Sequence, residues 1–174
     1  MAEKMQSPVT LVLGGARSGK SSFAESIAQQ SGLDKIYLAT AEAFDAEMET
    51  RISKHQQDRG AGWATVEEPV NLVATLQNHS SEYNIILIDC LTLWLSNLMA
   101  GDTDVDAEVD QLVSSLAALP GPVILVSNEV GQGIVPENKI ARDFRDHAGR
   151  LHQRLAAVAD TVYFVTAGLA QKLK

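Results

Sequence analysis

Cysteine is almost absent: Cys90 is the single one in 174 residues. That excludes an internal disulfide and any metal site built from several thiolates. Cys90 ends an apolar run, so it reads as a small core side chain. A positive charge balance is also missing. Lys and Arg number 14 against 22 Asp and Glu, a net charge of −8. Phosphate backbones select for basic patches, so nucleic-acid binding is not expected. No apolar run approaches about 18 residues, so no transmembrane helix is expected. The opening MAEKMQSPVT has no apolar h-region. No secretory signal is therefore expected, and the expected compartment is the cytoplasm. Internal repeats and low-complexity segments are lacking too. Residues 1–7 read as a flexible tail, with Met5 as an alternative start, and residues 8–174 as a single domain.

What is present begins with Leu11 to Ser22, L-V-L-G-G-A-R-S-G-K-S-S. An apolar strand runs into G-x-x-x-x-G-K-[ST] at Gly14 to Ser21, and a helix pattern follows with Phe23, Ile27 and Ala28 on one face. Backbone N–H groups can wrap a triphosphate only where side chains stay clear, which Gly14, Gly15 and Gly19 permit. The helix starting near Lys20 points its positive end at the phosphates. Lys20 is expected to reach the β- and γ-phosphates, and the Ser21 hydroxyl to ligate Mg²⁺.

Further along, Lys35–Thr40 reads as a second strand, ending at Ala39-Thr40-Ala41. Asp45–Arg59 reads as a polar helix with a thin apolar stripe, Met48, Ile52 and His55. Trp63–Glu67 is an edge-like strand, and Val70, Leu72, Val73 and Leu76 outline a helix. Ile85–Ile88 is a buried strand ending in Asp89. After a complete phosphate loop, such an Asp is expected to be the second Mg²⁺-organising residue; its alternative is the N-cap of a helix over Leu91–Met99. The acidic stretch Gly101–Asp110 lacks the central glycine and terminal glutamate of a Ca²⁺ loop, so it reads as a solvated loop entering a helix that continues to Leu119. Pro122–Ser127 is another buried strand. The polar and Gly/Pro-rich residues after it, Asn128 to Asn138, suggest a second wall of the same site. Lys139–Ala159 reads as a long helix with Ile140, Phe144, Ala148, Leu151, Leu155 and Val158 on one face. Arg142, Arg145, Arg150 and Arg154 lie on the other, either solvated or contacting a phosphorylated ligand or another subunit. Thr161–Thr166 reads as the last strand. About five parallel-type strands alternating with helices imply an α/β, three-layer phosphate-loop NTPase fold with a mostly parallel central sheet.

These blocks together resemble a known family. They are G-G-A-R-S-G-K-S at Gly14–Ser21, A-T-A at Ala39–Ala41, E-M-x-x-R-I-x-x-H at Glu47–His55, W-x-T-V-E-E-P at Trp63–Pro69 and D-C-L-T-L-W-L-x-N-L at Asp89–Leu98. The most specific are S-N-E-V-G-x-G-I-V-P-E-N at Ser127–Asn138 and A-R-x-F-R-D-x-x-G-R at Ala141–Arg150. From Leu11 to Lys174 the chain resembles the bifunctional adenosylcobinamide kinase/adenosylcobinamide-phosphate guanylyltransferases of cobalamin biosynthesis.

The resemblance implies two reactions. ATP or GTP phosphorylates the aminopropanol hydroxyl of adenosylcobinamide. GTP then transfers GMP to the resulting phosphate through a guanylylated histidine, giving adenosylcobinamide-GDP. By motif position the histidine is His55; neutral imidazole is a good nucleophile near pH 7. The resemblance places nucleotide contacts at Gly14, Gly15, Ala16, Arg17, Ser18, Gly19, Lys20 and Ser21, at Ala39, Thr40 and Ala41, at Gln56, Gln57, Asp58 and Arg59, and at Glu67 and Asp89. Mg²⁺ falls to Ser21 and Asp89. The partners implied are adenosylcobinamide, its phosphate and nucleoside triphosphates, with a homotrimer as the assembly. One departure is His152, which stands where relatives often have Asn. A nucleotide-driven switch and a kinase without guanylyl transfer use the same loop, but neither needs His55.

Overall fold

The computed structural model describes residues 7–41, 60–101 and 103–174. Of the expected tail only Ser7 is among them, and its hydroxyl donates to the Pro120 carbonyl at 2.6 Å. The polar helix expected over Asp45–Arg59, and with it His55, Gln56, Gln57, Asp58 and Arg59, lies outside the described residues.

The elements follow in the order β1 (Val9–Gly14), α1 (Lys20–Gln30), β2 (Asp34–Ala39), β3 (Trp63–Glu67), α2 (Leu72–His79), β4 (Asn84–Asp89), α3 (Leu91–Ala100), α4 (Val105–Leu116), β5 (Val123–Asn128), α5 (Lys139–Val158), β6 (Thr161–Thr166) and β7 (Leu169–Lys172). The strands form one sheet in the order β3-β2-β4-β5-β1-β6-β7. All neighbours pair in parallel except β6 and β7. β1, β4 and β5 carry the apolar runs Leu11–Leu13, Ile85–Ile88 and Val123–Val126 because they are central strands covered on both faces. β3 is one of the two edge strands, as its half-polar composition implies.

Alternate side chains serve two cores. Leu11, Leu13, Ile86, Ile88, Val123 and Leu125 face the layer built by α2, α3, α4 and α5. Val12, Tyr37, Leu87, Ile124 and Val126 face Ala24 and Ala28 of α1. Trp94 anchors the first core: it is fully buried, and its indole N–H donates to the Val70 carbonyl at 2.8 Å. Truncating such a side chain to Ala costs about 3–5 kcal/mol.

Four expectations need correction. Thr161–Thr166 is not the last strand, because Leu169–Lys172 folds back on it as β7 with Thr166 opposite Leu169. The two-residue turn between them is Ala167-Gly168, with φ of +53° and +76°. That is the positive-φ geometry a tight hairpin needs, without the Asn-Gly that usually announces it. α4 stops at Leu116 rather than Leu119; Pro120 disfavours helical backbone in the residue before it. Val70 precedes α2 rather than belonging to it, and the Glu68 carboxylate accepts the Val70 and Asn71 N–H groups at 2.9 and 2.8 Å. On α5 the buried stripe is Ala148, Leu151 and Leu155, whereas Ile140 is 69% exposed and Val158 41%. The reason is length: twenty helical residues span about 30 Å and a six-residue strand about 20 Å, so α5 overhangs the sheet.

Candidate active site

Parallel strands deliver their carboxyl ends to one edge, where an open α/β sheet binds its ligands. Here that edge brings together Gly14 of β1, Asn128 of β5, Asp89 of β4, Ala39 of β2 and Glu67 of β3. Gly14 pairs with Asn128, Ala39 with Asp89, and Ala39 with Glu67.

The loop Gly14–Ser21 is held from three sides. The Gly14 carbonyl accepts the Glu129 N–H at 3.0 Å, tying the loop's first residue to the end of β5. The Gly15 carbonyl accepts both the Ser18 N–H and the Lys20 ammonium, each at 3.2 Å. The Ser18 carbonyl accepts the Gly168 N–H at 2.7 Å, tying the loop to the β6–β7 turn. The glycines serve different ends. A Cβ on Gly14 would lie 2.5 Å from Ser18 Oγ and 2.6 Å from the Val165 carbonyl, so this site needs glycine for packing. Gly19 has φ +93°, and its Cβ would lie 3.1 Å from Gly168 Cα. A Cβ on Gly15 would meet no atom within 4 Å, so packing does not demand glycine there. Arg17 is exposed with φ +56°, and Ala16 is exposed beside it. Lys20 is buried, and Ser21 sits half-buried in the first turn of α1.

Ala39-Thr40-Ala41 is pinned across the edge. The Thr40 hydroxyl donates to the Cys90 carbonyl at 2.7 Å and accepts the Cys90 N–H at 3.0 Å. Asn97 donates to the Thr40 and Pro69 carbonyls at 2.9 and 3.0 Å. Neither Thr40's bridging role nor Asn97 was legible in spacing, because the partners lie about fifty residues away in the chain. The alternative role for Asp89 fails: the N-cap of α3 is Cys90, with no side-chain cap bond, and Asp89 stays half-buried at the edge. Burial, then the neighbouring Asp89 charge, pushes the Cys90 thiol above its ordinary range, so Cys90 is a packing residue. Its sulfur lies 3.0 Å from the Thr92 hydroxyl, which accepts the Asn128 amide at 2.9 Å.

Ser21 and Asp89 each offer this edge an oxygen of the kind a divalent cation such as Mg²⁺ takes. Among the described residues no three His, Cys, Asp or Glu side chains converge. Mg²⁺ needs no such cluster, since it takes one or two protein oxygens and fills the rest with water and phosphate.

On α5, His152 meets the end of β5. Its Nε2 lies 2.7 Å from the fully buried Ser127 hydroxyl. Burial lowers its pKa, opposed in part by Glu129. The expected arginine face is not simply solvated: Arg142 donates to the Pro136 and Glu137 carbonyls, and Arg154 pairs with Asp110. Glu67 is exposed at the far end of the edge.

Among solved structures, the chain is similar to the flagellar accessory protein FlaH of Methanocaldococcus jannaschii, with a TM-score of 0.56 at 14% identity, covering 97% of this chain and 79% of that one. It is also similar to the RadB recombinase, with a TM-score of 0.52 at 13% identity, covering 91% and 75%. Those likenesses establish the three-layer phosphate-loop fold. By sequence it is 49% identical over 166 residues to the bifunctional adenosylcobalamin biosynthesis protein CobP of Pseudomonas aeruginosa, covering 94% of this chain and 96% of that one. It is 40% identical over 179 residues to the bifunctional adenosylcobalamin biosynthesis protein CobU of Escherichia coli, covering 94% and 98%. The model of the family described as cobinamide kinase / cobinamide phosphate guanyltransferase matches residues 10–173. A complete phosphate loop with Asp89 at the same edge, and a family match over nearly the whole length, lead to one conclusion: the chain belongs to the cobinamide kinase / cobinamide phosphate guanyltransferase family, and is a bifunctional transferase of cobalamin biosynthesis.

Proposed function

We propose that the carboxyl edge of the sheet runs both reactions, with the loop Gly14–Ser21 as the common grip on the triphosphate and His55 as the nucleophile of the second. The observation that carries this reading is the meeting of the loop with Asp89 at one edge, two strands apart across β5. In the kinase reaction the Lys20 ammonium balances the β- and γ-phosphate charge, and the α1 N-terminus adds its N–H groups. The γ-phosphoryl passes to the hydroxyl of adenosylcobinamide with no histidine involved. Lys20 donates to the Gly15 carbonyl, which ties its ammonium to the loop. Ser21 and Asp89 would hold Mg²⁺, which supplies charge neutralisation of the phosphate oxygens.

In the guanylyl reaction neutral His55 attacks the α-phosphorus of GTP, pyrophosphate leaves, and GMP remains on the imidazole as a phosphoramidate. A phosphate oxygen of adenosylcobinamide phosphate then attacks the same phosphorus and frees His55. Two displacements replace one encounter between two anions. The Ala39–Ala41 backbone, pinned by Thr40 and Asn97, and Glu67 beside it border the nucleotide, with Gln56 to Arg59 completing its contacts. No described helix is long and apolar enough to cross a membrane. A cytoplasmic homotrimer is the state this reading carries.

Incubation with α-labelled GTP and Mg²⁺, followed by intact mass and peptide mapping at alkaline pH, tests the reading. GMP is expected on the peptide holding His55. His55→Asn should lose the label, keep kinase activity and accumulate adenosylcobinamide phosphate. An adduct on Lys54, or full labelling of His55→Asn, would refute the assignment.

A further inference from the structure

The basic side chains of α5 and its first turn are nearly all engaged. Lys139 pairs with Asp143, Arg142 with two carbonyls, Arg150 with the His147 ring, and Arg154 with Asp110. Arg145 differs. Its Nη1 is buried and has no hydrogen-bond partner among the described residues. A guanidinium cannot shed its charge. Leaving one of its N–H groups buried and unpaired costs a lost charged hydrogen bond, so such a group calls for a partner beyond the described residues.

The place of Arg145 indicates which partner. α5 starts beyond the carboxyl ends of the strands and returns to the start of β6, and it packs against β1. The contact between His152 and Ser127 sets its level, and Ser127 pairs with Leu13, the residue before the phosphate loop. Arg145 precedes His152 by seven residues, two turns, so it lies on nearly the same line of the helix and about 10 Å further out. Helical side chains also lean towards the N-terminus, which carries the guanidinium further past the strand ends. Helical spacing therefore puts Arg145 near the level of Gly14–Ser21 on the α5 side of the sheet, opposite the side covered by Ala24 and Ala28 of α1.

We propose that Arg145 is a phosphate ligand of the transfer site, binding a phosphoryl oxygen from the face of the sheet opposite α1. The proposal rests on the reading of the carboxyl edge as the transfer site. It adds a cation that neither the loop motif nor the family description assigns. Arginine suits the task because its planar fork matches two phosphoryl oxygens, which a lysine cannot do. Two phosphates reach this edge: the terminal phosphates of the nucleotide, and the phosphate of adenosylcobinamide phosphate in the second reaction.

The test titrates inorganic tripolyphosphate with Mg²⁺ into the wild-type protein, Arg145→Met and Arg145→Lys, and measures KM and kcat for adenosylcobinamide phosphate in guanylyl transfer. Arg150→Met serves as the exposed control. A loss of tripolyphosphate affinity of about ten- to a hundredfold in Arg145→Met identifies the nucleotide phosphates as the ligand. Unchanged tripolyphosphate affinity with a KM for adenosylcobinamide phosphate raised by the same factor identifies the substrate phosphate. Either outcome supports the proposal, with Arg145→Lys expected between wild type and Met. If Arg145→Met does not fold, Arg145→Lys decides by the same two readouts. Unchanged affinity and unchanged KM, even with a lowered Tm, would overturn the proposal and leave Arg145 a packing residue. Failure of the wild-type protein to bind tripolyphosphate would instead remove the phosphate-loop reading itself, and this proposal with it.

Discussion

Gly168 donates its backbone N–H to the Ser18 carbonyl at 2.7 Å, so the turn of an exposed terminal hairpin braces the phosphate loop. Gly168 has φ +76° and no atom within 4 Å of its missing Cβ, so Gly168→Ala tests backbone strain alone. The expected cost is about 1 kcal/mol. For a chain of this size that lowers Tm by about 2–4 °C. Because the strained peptide is the one holding Ser18, the KM for nucleotide should rise as well. Differential scanning fluorimetry with nucleotide kinetics checks both; a lowered Tm with unaltered KM would show that the brace does not matter to binding.

Lys20→Ala should remove phosphoryl transfer and weaken GTP binding. Lys20 is buried and rests on the Gly15 carbonyl, so its loss leaves the β/γ charge uncompensated inside the loop. A drop in kcat of a hundredfold or more is expected, on the scale of losing a preorganised donor, about 10²–10³. Near-normal kinase turnover would contradict the role given to the loop.

Asp89→Asn separates metal binding from folding. Asp89 does not cap α3, so the variant should melt close to wild type while its Mg²⁺ requirement rises. The check is kinase activity against Mg²⁺ concentration beside a thermal melt. A lowered Tm with an unchanged Mg²⁺ titration would make Asp89 structural.

His152 makes stability depend on pH. Burial holds its folded pKa below the ordinary 6.5. The unfolded chain therefore binds this proton first. Its contribution is complete above pH 6.5 and is lost as the pH falls from that value towards the lower folded one. His152→Gln removes this term while leaving an amide to meet the Ser127 hydroxyl. Urea denaturation between pH 5 and 8, wild type against variant, should show the wild type losing more stability on acidification. Parallel curves would mean that His152 does not titrate in this range.

Much of this protein follows from local sequence. Leu11 to Ser21 specifies strand, loop and helix because glycine placement and apolar runs act within a dozen residues. The central strands are legible because burial on both faces forbids polar residues in Val12, Ile86 or Leu125. Asp89 is legible as a carboxylate after such a strand. Tertiary structure decided the rest. β7 is four exposed residues, Leu-Ala-Gln-Lys, with no apolar alternation, and only its pairing with β6 reveals it. Ile140 looks like core in the helical pattern, yet it is exposed because α5 outruns the sheet. The ties from Gly168 to Ser18, Thr40 to Cys90 and His152 to Ser127 join residues 150, 50 and 25 apart, and no local pattern encodes such distances. A short motif can say which residues are able to bind phosphate. Which strands lie side by side, and hence which side chains meet at their carboxyl ends, is settled only by how the whole sheet buries its two faces.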